Sequence, residues 1–75
     1  MILSQAETEI VSIIREYPLD EIAFTNMTLV LAKRRDVAVS TTEQQLNKLY
    51  RKFGITGRGT GKLIQLAEMV QEGEA

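Results

Sequence analysis

Cysteine, histidine and tryptophan are absent from this chain, and proline occurs once, at Pro18. Without cysteine no disulfide can brace a small core, and without cysteine or histidine the usual zinc ligands are missing. The same absences remove the common nucleophile–base pairs, so no catalytic residue, metal or cofactor is expected. No apolar run approaches the roughly 18 residues that would span a bilayer. The opening "MILSQAETEI" lacks the basic start and long apolar stretch of a signal peptide. These absences predict a cytoplasmic chain with no membrane partner. At 75 residues it should form one domain, 1–75, with a small core and limited stability of its own.

Net charge is also small, at −1, but it is unevenly placed. Residues 33–62 carry eight bases against Asp36 and Glu43, a net of +6; the remainder carries Arg15 against eight acids, a net of −7. Such a division suits a chain with one face for a polyanion, although ordinary variation in surface charge produces it too. The stretch "STTEQQLNKLYRKFGITGRG", residues 40–59, opens with hydroxyls and amides and then turns basic.

Four helices are predicted. Ser4 and Glu7 form the S-x-x-E pattern of a capping box, which starts a helix near residue 5. Ile10, Ile13, Ile14 and Tyr17 give it a buried stripe, and Pro18 should end it at Tyr17. A second helix is expected over about 26–35, starting as early as Asp20, with Phe24, Met27 and Leu31 on one face. The β-branched and aromatic residues there also suit a short strand. "STTE" at 40–43 reads as a second capping box, with Ser40 as the cap. Leu46, Leu49, Tyr50 and Phe53 then share a core stripe that Thr42 extends backward. Thr41, Gln44, Lys48 and Arg51 fall on the opposite side, flanked by Gln45, Asn47 and Lys52. Gly54 is placed to cap this helix. "TGRGTG" at 56–61 is a turn, and a last helix over about 61–72 buries Leu63, Leu66, Ala67 and Val70. Ile64 lies at the edge of that stripe and Met69 outside it.

Read together, "TLVLAKRRDVAVSTTEQQLNKLY" is a helix, a tight turn and a helix, with Leu31 and Ala32 at the crossing and Val37 and Leu46 closing the shared core. The flanks add to this. "LSQAETEIVSII" resembles the first helix of the LuxR/GerE-type DNA-binding domain. "LNKLYRKFGITGRGTGKLIQLA" resembles that family's third helix, glycine stop and fourth helix. The family's glutamate–isoleucine–alanine element is matched to Val30-Leu31-Ala32, because four residues, Lys33 to Asp36, then precede Val37, the family spacing. The connection between the first two helices is longer than usual. Arg35 stands where the family has an apolar residue, and Thr42 where it has valine. Region 4 of bacterial sigma factors is similar in shape, but that likeness ends near Phe53.

The resemblance implies an all-α, small four-helix domain containing a helix-turn-helix, acting as a sequence-specific transcriptional regulator on double-stranded DNA. It implies that the third helix enters the major groove. Thr41, Gln44, Gln45 and Lys48 would face bases, and Arg34, Arg35, Arg51, Lys52, Arg58 and Lys62 would hold phosphates. Ser40 would cap its helix or reach a phosphate, and Arg58 would alternatively cap carbonyls of the helix before it. In this family the fourth helix commonly dimerises, which assigns Ile64 and Met69 to a homodimer contact on an inverted-repeat site. The competing expectation is a protein-interaction module that binds a partner such as part of the RNA polymerase machinery without touching DNA.

Overall fold

A computed structural model describes residues 2–72, the side chain of Thr60 excepted. Every regular element among them is a helix: α1 Gln5–Ile14, α2 Leu19–Phe24, α3 Met27–Arg35, α4 Val39–Phe53 and α5 Thr60–Glu72. The fold is all-α, with five helices where four were expected.

The capping box at the start of α1 is formed. Ser4 Oγ accepts from the Glu7 amide at 3.2 Å, and Glu7 Oε1 accepts from the Ser4 amide at 2.8 Å. α1 ends at Ile14, earlier than Pro18 alone predicts. The amides of Glu16 and Tyr17 donate to the carbonyls of Ile13 and Ile14, three residues back, so the last turn tightens before the proline. Pro18 then opens α2 in an extended conformation.

The segment 18–28 holds the extra helix. Thr25 is extended, with φ −115° and ψ 141°, and this breaks α2 from α3. Asn26 restarts the chain as a cap, its side-chain oxygen accepting from the Leu29 amide at 3.2 Å. The break overturns the stripe expected across Phe24, Met27 and Leu31: Met27 and Leu31 are buried, but Phe24 is 91% exposed. Ile22 instead turns inward from α2, which packs on α5. The Gln71 side-chain amide reaches back from α5 to the Tyr17 carbonyl at 2.6 Å.

Three residues, Asp36 to Ala38, join α3 to α4. Asp36 takes the left-handed conformation, φ 56° and ψ 49°, which aspartate tolerates better than most side chains. The Asp36 and Val37 amides close onto the carbonyls of Lys33 and Ala32. This pairing satisfies carbonyls that a helix end leaves open. The second capping box does not form. α4 begins at Val39, its cap is Ala38 and no side chain caps it, so Ser40 lies within the first turn. Thr42, four residues beyond the cap, is fully buried and donates its hydroxyl to the Ala38 carbonyl at 3.2 Å. The buried hydroxyl is thereby satisfied within α4's own first turns. Gly54 closes α4 at φ 68°, where a side chain would be strained.

The core lies where α1 packs on α4 and α5, and α3 packs on α4. Ile10, Ile14, Ile22, Met27, Leu31, Leu49 and Leu66 are fully buried, each worth about 1.5–3 kcal/mol relative to exposure. Leu46 and Ala32 are both buried in the packed pair α3 and α4. No helix among the described residues is long and apolar enough to cross a membrane.

Candidate nucleic-acid interface

α4 has two chemically different sides. Thr42, Leu46 and Leu49 face the core, and Tyr50 and Phe53 pack against it. Ser40, Gln44, Asn47, Lys48 and Arg51 are exposed, and Thr41 is half-buried. None of these six side chains hydrogen-bonds or ion-pairs with another described residue. The outward row is therefore a set of donors and acceptors with no partner among the described residues. It holds two hydroxyls, two amides, an ammonium and a guanidinium.

The other bases of the segment behave differently. Arg35 has only 8% of its side chain exposed; its Nε donates to Glu9 at 3.1 Å and its Nη1 to Gln45 at 2.6 Å. Arg35 is thus buried by being paired, and Gln45 turns toward it and away from the outward row. Arg34 grips Glu16 with both terminal nitrogens, at 2.6 and 3.3 Å. Lys52 Nζ lies 2.6 Å from Glu7 Oε1 and also donates to the Ile2 carbonyl at 3.2 Å. So Arg34, Arg35, Gln45 and Lys52, all expected to meet DNA, are held by the protein's own groups. Their partners Glu7, Glu9 and Glu16 come from α1 and the turn after it. Sequence reading missed these contacts because the pairs lie 18, 26 and 45 residues apart, with no local spacing to mark them.

Electrostatics follow the pairing. The Lys52 ammonium, then the Ser4 amide, hold the Glu7 carboxyl below its ordinary value against the opposing effect of burial. The bidentate Arg34 contact lowers Glu16 and is matched by a raised Arg34. Burial pushes the Tyr50 hydroxyl up, and Lys62 lies 5.2 Å over the Tyr50 ring, a cation–π contact. Arg58 sits exposed in the turn between α4 and α5, with no described partner; no carbonyl-capping bond forms. Of the two residues assigned to dimerisation, Ile64 is half-buried and packs on the core, while Met69 is 43% exposed.

Comparison of the chain with protein-family models, with curated proteins and with solved structures finds no match. The reading of this face therefore stands on its geometry and chemistry.

Proposed function

We propose that this chain is a sequence-specific DNA-binding regulator, acting in the cytoplasm by binding and not by catalysis. α4 is the helix that enters the major groove, and two copies meet on an inverted-repeat site. The observation that carries the reading is the outward row of α4. Its polar groups have no partner among the described residues, and they follow a three-residue turn from α3, as a helix-turn-helix requires. Thr41, Gln44 and Lys48 are the base-facing set: glutamine suits adenine, lysine suits guanine, and the threonine methyl suits thymine. Arg51 and Arg58 hold phosphates, with Lys62 beside them once it leaves the Tyr50 ring. Selection from randomised duplex DNA, followed by binding of the selected site across a salt series, tests the reading. A selected consensus and a log–log slope of several units are expected. Enrichment of no sequence, with a flat salt response, would overturn it.

One observation favours the rival reading, a protein-interaction module. Phe24 is 91% exposed, and the exposed acids Asp20 and Glu21 precede it by one helical turn. An aromatic knob with acids beside it suits a basic protein surface, such as part of the transcription machinery, better than a phosphate backbone. Phe24→Ala that removes regulation in cells while leaving DNA binding intact would assign both roles to one chain.

A further inference from the structure

A groove of about 450 Å³ runs between α1, the end of α4 and α5. Leu3, Val11, Phe53, Met69 and Val70 give it apolar walls. Its polar lining, Thr8, Ser12 and Arg15, comes from α1 and the residue that caps it. The volume lies within the roughly 300–1,000 Å³ of small-molecule sites, which are likewise mostly apolar with a few placed polar groups. Arg15 is the single base outside residues 33–62, so the concentration of bases around α4 does not account for it. Its chain neighbour Glu16 is gripped by Arg34, and no acid among the described residues lines the groove. A guanidinium carries five N–H donors, so the interaction that Arg15 already makes in the protein does not exhaust it. Ser12 lies three residues before it, on the same side of the helix, and its hydroxyl has no hydrogen-bond partner among the described residues. The Thr8 hydroxyl is committed to the Ser4 carbonyl at 2.9 Å. Ser12 and Arg15 are therefore the groove's donors toward a ligand.

We infer that this groove binds a small amphiphile of the fatty-acid kind, one apolar chain with a carboxylate head. The head meets Arg15 and Ser12, and the chain lies along Val11, Phe53, Met69 and Val70. The lining selects this occupant over others. A cation finds no carboxylate there. A wholly apolar ligand would take water from a guanidinium and a hydroxyl and return no hydrogen bond, which is costly. A bare inorganic anion would leave the apolar walls in water. A carboxylate, by contrast, matches the planar fork of arginine, and the flexible thioether of Met69 can adapt to a chain. The bound chain leaves α4 open to DNA, because Phe53 belongs to the core side of that helix and Gln44 and Arg51 to the opposite side.

The inference goes beyond the DNA reading and does not depend on it, so it is tested on the protein without DNA. The probe is decanoate below its micelle concentration, with decanol and decyltrimethylammonium as head-group controls. Binding is followed by calorimetry, by thermal melting and by amide NMR spectra. Decanoate should raise the melting temperature, shift the amides of Val11, Ser12 and Met69, and bind about tenfold or more tightly than either control. Arg15→Gln should bring decanoate down to the level of decanol, and Arg15→Lys should restore part of the preference. Each protein is compared with itself across the three head groups, so a loss of stability cannot imitate the result. Met69→Glu, at an exposed position, places a like charge in the groove and should abolish decanoate binding. Equal binding of acid and alcohol by the wild type, a preference that survives Arg15→Gln, or shifts confined to residues outside the groove would overturn the inference. So would a wild-type dimer that Met69→Glu dissociates, which gives the groove to a second copy. Sedimentation with phosphatidylglycerol vesicles in the absence of any response to decanoate would also overturn it, in favour of a membrane surface. Failure of the DNA selection leaves all of these outcomes unchanged.

Discussion

The two flanks of α4 carry similar residues and treat them in opposite ways. On the side toward α1, Lys52, Gln45 and the neighbouring Arg34 and Arg35 are consumed by contacts to Glu7, Glu9, Glu16 and each other. On the outward side, Gln44, Lys48 and Arg51 have no partner among the described residues. Adjacent residues fall on either side of this line: Arg51 is open and Lys52 is closed. A basic count taken along a chain therefore overstates the charge offered to a ligand. What binds is the part that the protein's own acids do not neutralise.

The contrast depends first on α4 being held at a fixed rotation. Leu46, 3% exposed, is the central residue of its core side. Leu46→Ala should cost about 2–5 kcal/mol through lost burial and the cavity left behind. That is a large part of what so small a domain has, and thermal melting should show most of the protein unfolded or shifted sharply down. A variant melting within a few degrees of wild type would mean that α4 is not anchored as described.

The closed side should matter to stability and the open side should not. Lys52→Ala removes the partner of Glu7, a carboxylate only 3% exposed, and should cost about 1–3 kcal/mol. Because the Glu7 carboxyl is held below its ordinary value, the pair contributes fully above the unfolded carboxylate value, about 4.3. The contribution fades as pH falls through the lower folded value. The stability gap between wild type and Lys52→Ala should therefore be constant near neutral pH and close in acid. Urea unfolding at several pH values measures it, and a gap that widens in acid would mean another group controls the loss.

Much of the helical frame is legible in one dimension because its determinants are local. Ser4 with Glu7, and Gly54 at a helix end, act within four residues, and both do what their spacing says. The core stripe of α4 follows from periodicity in the same way. What failed was local chemistry with two solutions. "STTE" satisfies the capping pattern at Ser40, yet the left-handed turn at Asp36 starts α4 earlier and buries Thr42 against the Ala38 carbonyl. Phe24 fits a helical stripe only if the helix is continuous, and the extended Thr25 breaks it. In the candidate site, the outward placement of Gln44 and Arg51 could be read from spacing. The capture of Arg35 and Lys52 by α1 could not, since it depends on which helices meet.

Next in size are the effects on DNA. Gln44→Ala should change site preference at one or two positions and cost about 1–3 kcal/mol there, the value of a bidentate base contact. Arg51→Ala should weaken all sites alike and reduce the salt slope by about one unit, with melting unchanged. Lys52→Ala, its neighbour, should show the reverse pattern: lower stability and little change in slope. Fluorescence anisotropy on a selected site, read at several salt concentrations, separates the two. Equal slopes for both variants would erase the line drawn between residues 51 and 52.

The smallest effect concerns the most exposed of the ion pairs. Arg34 and Glu16 are joined at 2.6 Å, yet their side chains are 41% and 54% exposed, and solvent screens such a surface pair so that it adds little to stability. Glu16→Gln should therefore leave melting nearly unchanged. It should, however, release the Arg34 guanidinium at the end of α3, where a phosphate is the natural replacement for a carboxylate. The variant is expected to bind DNA slightly more tightly at low salt and with a steeper salt slope, by up to about one unit. Arg35, with 8% of its side chain exposed, should gain nothing comparable from Glu9→Gln, because Gln45 still holds it and little of it reaches solvent. If Glu9→Gln raises affinity as much as Glu16→Gln, burial is not what separates the closed bases from the open ones. If neither variant changes the slope, the acids of α1 do not compete with phosphate, and the neutralised flank lies away from the duplex.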